Sequence, residues 1–493
     1  MSELPEAPIG SEGFSRPSGD IVTLLDLAPR DMQDNTFTPL SADKTWWLPS
    51  DRRINPFTMC VQQFPFRGPT GFGQRFTFDL KSVNCGDLLF NTVLQIDLSH
   101  WLNDTDLMRL EGGKYTSTDP SFWFYANSLG TVILERAEFE VNDQTIEIVD
   151  GDFLNVASLL FQDINSQYGL AADGLGRQPL ATLLHSPANK PFPTQGRSLF
   201  IPLPFFFSRI KLQGFPLLAC KEGSVRIHIH LRPFHECVRR LSGRRITCDD
   251  TPLEKSFAIK SREGGILLNE TIVSSANIPQ FKGIQLITHA AHTDTLIRQK
   301  ILRKPFETLI RCVATFDFAE PLKYLINKTS SDTIQIQLPL EVNNPIEEII
   351  WFVRRKATAN NNEWTNYSAT MSAELDPVYN PLRPLLHSAS IQFNGIDIIK
   401  ADENWFRRHI ALKHQGGAAA YENYIYGYSF SQNPGAFQPS GTANASRLQS
   451  VRLTLGITPP TGEYELDWEV KVFVIGLQWL RFQGGLTNLM YMD

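Results

Sequence analysis

Apolar and polar residues alternate with a period of two in five stretches of this sequence, and this alternation restricts the fold more than any other feature. Successive side chains of a β-strand point to opposite faces, so the pattern predicts strands with one buried and one polar face. The stretches are residues 76–80, 94–98, 225–231, 334–338 and 464–474. Helical periodicity is confined to short segments such as 151–161 and 401–412. We therefore predict an all-β fold.

Length and composition agree with a globular protein of strands and turns. The 493 residues suffice for two or three domains, and the 33 Phe, 31 Pro and 32 Gly residues favour strands joined by turns. The net charge of −6 argues against a surface that binds polyanions, so we expect no specific nucleic-acid partner. The N-terminus lacks the pattern of a signal peptide, and we expect synthesis in the cytosol.

Two strand–turn–strand units in the sequence resemble each other. Their sequences are FEVNDQTIEI and IQFNGIDII, with Asn142-Asp143 and Asn394-Gly395 at the turn positions. Short hairpin loops often require positive φ at these positions. The units lie about 250 residues apart, half of the chain, which predicts two similar β-sandwiches in tandem. The polar stretch 240–265 is the predicted boundary.

Long polar segments separate several of the predicted strands, notably residues 99–121 and 355–380. Loops of this length are uncommon inside compact domains, and they usually carry function or form surface features. We predict that both segments lie on an outer crown or rim, where a change has little effect on the core.

Two short motifs allow competing interpretations. His228-x-His230, followed by His235 and Glu236, is similar to a cupin metal site, because two His at i and i+2 share one face of a strand. The spacing to Glu236 departs from the cupin pattern, and the polar face of a half-buried strand explains the same residues. The segment 239–245 contains four arginines, which either contact an anionic membrane or nucleic acid or form a solvated connector between domains.

No constellation of catalytic residues is evident in the sequence. The glycine loop 68–73 lacks the Lys-Ser/Thr of a phosphate-binding loop and precedes a predicted strand instead of a helix. Neither a G-x-S-x-G elbow nor an H-E-x-x-H motif occurs. We predict a protein without enzymatic activity, cofactor or bound metal. The alternative function, from the class of enzymes, is that of a bicupin-type metalloenzyme.

Three motifs are distributed over most of the sequence. They are Gly86-Asp87-Leu88 before a predicted strand, NPIEEIIWFVRR from Asn344, and YSFSQNPGAFQPSGTANASRL over residues 428–448. Together they resemble the major capsid proteins of nucleocytoplasmic large DNA viruses, and the resemblance extends from about residue 46 to 486. The sequence departs from that family at Ala443 and Ala445 and after residue 486.

The resemblance implies two tandem eight-stranded jelly-roll β-sandwiches with long inserted loops. We expect an extended arm over residues 1–45, a first jelly roll over 46–245 and a second over 246–493. The resemblance also implies a homotrimer that forms a pseudo-hexagonal capsomer. Capsomers would tile an icosahedral shell with minor capsid proteins, close to an internal viral membrane, after assembly in a viral factory of the host cytoplasm. A transient viral scaffold lattice protein of the same fold is the alternative.

The resemblance also marks one candidate site, which we call the motif loop. Its family residues are Gln438, Pro439, Ser440, Gly441, Thr442, Ser446 and Arg447. Pro439 fixes φ, Gly441 can adopt positive φ, and the hydroxyl groups can bond backbone locally, so a rigid loop is predicted. Arg447 would bind a carboxylate or backbone carbonyls, either as a brace within the second jelly roll or as a contact across the trimer.

Overall fold

Antiparallel β-strands dominate the computed structural model, as the alternating pattern predicted. The structure describes residues 56–99, 121–161, 174–177, 198–210, 213–243, 257–259, 280–318, 333–360, 362–370, 382–414, 423–458 and 468–490. The predicted arm and residues 100–120 of the first long segment lie outside these ranges. Among the helices within them, none is both long enough and apolar enough to cross a membrane.

The regular elements are numbered in chain order. The strands are β1 (Phe57–Pro65), β2 (Arg75–Leu80), β3 (Leu88–Leu98), β4 (Ser121–Tyr125), β5 (Leu134–Val141), β6 (Gln144–Asp150), β7 (Ser198–Pro202), β8 (Val225–Leu231), β9 (Val238–Gly243), β10 (Phe257–Ile259), β11 (Phe281–Thr293), β12 (Phe306–Phe318), β13 (Ile334–Leu340), β14 (Pro345–Arg355), β15 (Leu386–Phe393), β16 (Ile396–Asp402), β17 (Ile425–Ser429), β18 (Ala443–Asn444), β19 (Val451–Ile457), β20 (Trp468–Gln483) and β21 (Leu486–Leu489). The helices are α1 (Ser82–Cys85), α2 (Leu129–Val132), α3 (Gly151–Leu160), α4 (Phe206–Arg209), α5 (Phe234–Cys237), α6 (Thr295–Arg303), α7 (Lys356–Asn360) and α8 (Glu403–Lys413), with short 3₁₀ turns at Leu217–Ala219 and Ala445–Arg447.

Two four-stranded sheets form the first sandwich. One sheet has the order β1-β11-β3-β7 and the other has the order β2-β8-β5-β6. The side chains alternate between a buried and a polar face as predicted, because Phe76, Phe78 and Ile227 are buried whereas Thr77 is exposed. When the eight strands are numbered within the sandwich, the two orders read 1-8-3-6 and 2-7-4-5.

The second sandwich repeats this topology. Its sheets are β12-β20-β14-β17, with β18 beside β14 and β21 beside β20, and β13-β19-β15-β16. These orders are again 1-8-3-6 and 2-7-4-5, the arrangement of a jelly roll, in which two packed sheets protect most strand edges. The predicted fold of two tandem eight-stranded jelly rolls is confirmed.

The two predicted hairpins occupy equivalent places in the two jelly rolls. Asn142 and Asp143 have φ of 54° and 59° between β5 and β6, and Asn394 has φ of 51° between β15 and β16. Both hairpins contain a β-bulge, and a helix follows each, α3 or α8. The side chains of Asp150 and Asp402 cap these helices, so equivalent positions in the two hairpins and at the two helix caps are 252 residues apart.

The first jelly roll extends beyond the predicted boundary at 245/246. Its last strand, β11, pairs with β1 from Thr293 to Gln285 and also with β3. A division at 245/246 would separate β11 from both partners. The preceding residues 238–243 form β9, which pairs with β4 and β10. We propose that the first jelly roll ends at Thr293 and that the second begins at β12.

Asp87 ties the end of the first jelly roll to the helix that follows it. Its fully buried carboxylate accepts hydrogen bonds from the Thr293 backbone N–H at 2.8 Å and from Arg298 Nη2 of α6 at 2.8 Å. Although burial raises the pKa of Asp87, these hydrogen bonds and the Arg298 charge hold it below its usual range. Gly86 has φ of 134°, and a Cβ there would lie 2.9 Å from the Cβ of Ala290.

We predict that Asp87→Ala lowers the free energy of unfolding by about 1–3 kcal/mol, because it removes a buried carboxylate that accepts hydrogen bonds from the Thr293 N–H and from Arg298. Urea unfolding at pH 7 measures this change. Asp79→Ala is the matched control, because Asp79 is exposed and solvent screens its ion pair with Arg226. Equal losses in the two variants would contradict the role assigned to Asp87.

Candidate functional site

The motif loop is held by hydrogen bonds centred on Ser440. Its Oγ accepts a hydrogen bond from the backbone N–H of Asn433 at 2.8 Å and lies 2.7 Å from the Oγ of Ser431. Gly441 has φ of 145°, and a Cβ at this position would lie 2.8 Å from the carbonyl oxygen of Phe430. Any larger residue at Gly441 would therefore clash with backbone, so the observed course of the loop requires glycine here.

Asn444 holds the end of the motif loop beside the second jelly roll. Its backbone pairs with Pro345 of β14, and its Oδ1 accepts hydrogen bonds from the Ser446 N–H at 3.2 Å and Oγ at 2.6 Å. Arg447 follows with an exposed side chain, and within the described ranges it forms no ion pair. The geometry therefore presents the guanidinium of Arg447 on the surface.

An open groove of about 1100 Å³ borders the motif loop. It lies between Pro439 on one side and Leu309 and Trp479 of β12 and β20 on the other. Two of its aromatic residues face solvent, since Phe437 is 64% exposed and Trp479 is 40% exposed. Exposed apolar residues grouped in this way are typical of protein–protein contact surfaces.

Two buried ionic clusters join the two jelly rolls, and the first is centred on Glu147. Glu147 of β6 accepts hydrogen bonds from the N–H of Phe206, from Nη2 of Arg209 at 2.8 Å, and from the N–H of Val313 in β12. Burial raises the pKa of Glu147, and the Arg209 charge offsets this effect only in part. Arg209 also donates to the carbonyl oxygen of Arg311, so the same cluster bonds backbone in both jelly rolls.

Asp152 of α3 is the centre of a second ionic cluster across this interface. Its carboxylate accepts hydrogen bonds from Arg354 Nη1 and Lys471 Nζ, each at 2.9 Å. Burial acts to raise the pKa of Asp152, but the charges of Arg354 and Lys471 outweigh it and hold the pKa well below its usual range. The ring of Phe153, the next residue along the chain, lies 5.2 Å from the ring of Phe473.

The segment that follows β14 is buried in the same interface, so its predicted place on an outer rim is wrong for the residues that the structure describes. Tyr367 is 2% exposed, and its hydroxyl oxygen accepts a hydrogen bond from Asn155 Nδ2 at 2.8 Å. Trp364 Nε1 donates to the carbonyl oxygen of Glu236 at 3.0 Å. Sequence reasoning missed this interface, although the unbroken apolar run 349–353 is typical of a strand buried on both faces.

The two histidines of the candidate metal motif lie on the outer face of β8. His228 Nδ1 is 2.9 Å from the Oγ1 of Thr77, and its Nε2 is 3.2 Å from the Oε2 of Glu140. His230 lies 3.6 Å from a different carboxylate, that of Glu138. In the part of the chain that the structure describes, no three His, Cys, Asp or Glu residues are grouped to hold a metal. The contacts are those of a polar strand face.

Two family models match the chain in tandem. The family described as major capsid protein N-terminus matches residues 45–255, and the family described as large eukaryotic DNA virus major capsid protein matches residues 298–467. The chain belongs to the major capsid proteins of large eukaryotic DNA viruses. This capsid protein is therefore a structural component of a virion, in agreement with the resemblance found in its motifs.

This capsid protein is similar to relatives along most of its length. The major capsid protein of Phaeocystis pouchetii virus is 21% identical over 91% of this chain and 95% of its own. That of Paramecium bursaria Chlorella virus 1 is 23% identical over 82% of this chain and 80% of its own. A chain of the PBCV-1 virus capsid has a TM-score of 0.65 at 18% identity, covering 91% of this chain and 100% of that one. The Faustovirus major capsid protein has a TM-score of 0.62 at 11% identity, covering 94% and 97%.

We predict that Asp152→Asn lowers the stability of the capsid protein by about 2–3 kcal/mol at pH 7, because Arg354 and Lys471 lose one buried carboxylate while Glu469 and Asp150 still pair with them. Folding lowers the pKa of Asp152, so its contribution is present above the unfolded pKa of about 3.9 and is lost as the pH falls through the folded value. The difference from wild type should therefore shrink below about pH 4.

Urea unfolding at pH 7 and at pH 3 measures the effect of Asp152→Asn. The exposed carboxylate of Asp397 provides the matched control, since Asp397→Asn should change stability by less than about 0.5 kcal/mol at either pH. A loss in Asp152→Asn that does not depend on pH would rule out the ionic role.

Proposed function

We propose that this capsid protein acts as a homotrimer, and that each trimer forms a pseudo-hexagonal capsomer of an icosahedral shell. The repeated topology supports this proposal, because two jelly rolls with the same strand order in each of three chains provide six similar units around a threefold axis. Many weak contacts between capsomers then stabilise the shell together. The observation that carries the proposal is the pair of matching jelly rolls in one chain.

We further propose that the motif loop contacts another subunit. The family residues are held rigidly from the inside by Ser440 and Asn444, while Arg447 projects from the surface. A rigid loop with an exposed guanidinium is suited to bind a carboxylate or carbonyl groups on a neighbouring chain. The exposed Phe437 and Trp479 beside it add apolar area to the same surface.

The remaining partners follow from the family. We propose contacts with minor capsid proteins, a position close to an internal viral membrane, and assembly in a viral factory of the host cytoplasm. The net charge of −6 agrees with a shell that has no specific nucleic-acid partner. A transient scaffold lattice would use the same fold, but the two family matches favour the permanent shell.

We also propose that the protein has no catalytic activity. The ionisable groups that are buried deepest, including Glu147, Asp152 and Arg354, hydrogen-bond one another or backbone across the jelly-roll interface. Ionisable groups whose hydrogen bonds are all made inside the protein have a structural role, since catalysis requires a side chain that can reach a substrate. The metalloenzyme alternative would require about one equivalent of bound metal that is lost in His228→Ala.

The trimer is tested by its mass in solution. We expect the recombinant chain at micromolar concentration to have about three times the subunit mass of 55.7 kDa in multi-angle light scattering. Obligate interfaces typically bury more than about 2,000 Å², so the trimer should survive dilution. A folded monomer at this concentration would overturn the proposed function.

Arg447→Ala tests the motif loop. We expect it to yield folded monomers with nearly unchanged thermal stability of the subunit, because the side chain is exposed within the chain. Arg447→Lys should not restore the trimer, since an ammonium group cannot reproduce a bidentate contact. Arg452→Ala provides a control at an exposed arginine of β19. A wild-type trimer in Arg447→Ala would exclude the proposed subunit contact, and a less stable monomer would instead indicate an internal brace.

A further inference from the structure

Helix α6, which follows the last strand of the first jelly roll, is basic and lies on the surface. No residue of this helix is buried. Between Asp294 and Glu307 the sequence contains four basic residues and no acidic one. The four are Arg298, Lys300, Arg303 and Lys304. Because the whole chain has a net charge of −6, this positive stretch is a local feature and does not reflect the overall composition.

Two contacts fix the orientation of α6. Arg298 donates hydrogen bonds from Nε at 3.1 Å and from Nη2 at 2.8 Å to the buried carboxylate of Asp87. Ile301, on the same side of the helix, packs against the core. These contacts hold one side of the helix against the protein, so the remaining side is presented to solvent in a fixed orientation.

The solvent side of α6 combines basic and apolar side chains. Leu296, Lys300 and Arg303 are spaced at i, i+4 and i+7, which places them in one row along the helix. Leu296 is 75% exposed, and Leu302 in the last turn is 43% exposed. Within the described ranges, neither Lys300 nor Arg303 forms an ion pair. Exposed leucines next to unpaired basic residues are typical of helices that bind membrane surfaces.

The turn before β3 adds an exposed apolar residue at the same end of the first jelly roll. Val83 of α1 is 89% exposed, and α1 leads directly into Asp87, which binds Arg298 of α6. Val83 and Leu296 therefore present apolar side chains from neighbouring elements. Lysine and arginine can lay their apolar stems over such residues while their charged groups reach outward.

The first jelly roll separates α6 from the segment 239–245, the other candidate for contact with a membrane. The 13 residues of β11 span roughly 40 Å from Phe281 to Thr293, and α6 follows the Thr293 end. At the other end, the ring of Phe72 lies 4.7 Å from Phe281 and 5.1 Å from Phe234, which precedes β9. The part of the segment that belongs to β9 therefore lies at the opposite end from α6, and one flat membrane cannot contact both.

We propose that α6 and α1 form a peripheral contact with the surface of an anionic membrane. This inference rests on the proposed position of the capsid protein close to an internal viral membrane, and it assigns the contact surface and the lipid class. Lys300, Arg303 and Lys304 attract anionic headgroups, while Leu296 and Val83 enter the headgroup region. A trimer carries three such contacts, which act together although each is weak.

Co-flotation with vesicles tests the membrane contact. The full chain is mixed either with vesicles of phosphatidylcholine and phosphatidylserine in equal amounts or with vesicles of phosphatidylcholine alone. We expect the wild type to float with the anionic vesicles only, and added salt to release it because ions screen the attraction. Wild-type protein that binds neither kind of vesicle, or both equally, would overturn the proposal.

Lys300→Gln combined with Arg303→Gln removes two charges from the helix. Since each basic residue near an anionic surface contributes about fivefold to binding, we expect vesicle affinity to fall by about 30-fold per subunit. Arg67→Gln combined with Lys282→Gln is the matched control, because it removes the same charge from exposed residues at the Phe281 end of β11. Equal losses in the two double variants would assign the binding to net charge and exclude α6.

Leu296→Ser distinguishes a lipid surface from other anionic partners. We expect this variant to bind anionic vesicles several-fold more weakly, because an apolar side chain no longer enters the headgroup region. Retention on heparin, a soluble polyanion, should be unchanged because the charge is the same. Vesicle binding equal to that of wild type would instead indicate a purely electrostatic contact, such as one with an acidic protein, and would overturn the membrane assignment.

Light scattering separates this inference from the proposed function. The α6 variants should be trimers with the circular dichroism of wild type, because the changed residues are exposed. A trimeric wild type without vesicle binding would overturn the membrane contact alone, whereas a monomeric wild type would overturn the trimer. If the double variant does not fold, Lys304→Gln, directly after the helix, takes its place with an expected loss of about fivefold.

Discussion

The buried ion pairs of Asp152 with Arg354 and Lys471 determine how the two jelly rolls are joined. A charge removed from water is unfavourable by several kcal/mol unless an opposite charge and hydrogen bonds compensate it. These ion pairs connect α3 of the first jelly roll to β14 and β20 of the second. A displacement that separated them would leave buried charges with fewer partners, so the ion pairs favour the observed arrangement of the two sandwiches.

The arrangement of strands leaves surfaces free for a shell. Each jelly roll pairs its strands within two sheets, so that its loops and outer faces are available for contacts between subunits. The inner face of each sandwich is apolar and holds the fold, whereas the outer face of the β12–β20–β14 sheet combines apolar and ionic residues. The ionic residues make the contact specific in position, and the apolar residues supply most of its stability.

Much of the local structure was predictable because its causes act over a few residues. Alternation identified β2, β3, β8, β13 and β20, and the Asn-Asp and Asn-Gly turns identified the hairpins. The motif loop was also found from sequence, since its serines and Gly441 make local hydrogen bonds and a local backbone conformation. Its role between subunits stays a prediction, because a single chain does not contain the partner surface.

The sequence by itself determined the all-β class, the two hairpin turns, the short helical segments that follow them, and the family. Sterics, strand periodicity and side-chain capping act between neighbours, so these features are local. Only the tertiary structure decided that β11 pairs with β1, and that the segment around Tyr367 is buried instead of exposed. Those outcomes depend on contacts between residues about 200 positions apart, such as Asp152 and Arg354. Burial of one segment is favourable only because a distant segment covers it and pairs its charges, and the sequence of the buried segment does not specify that partner.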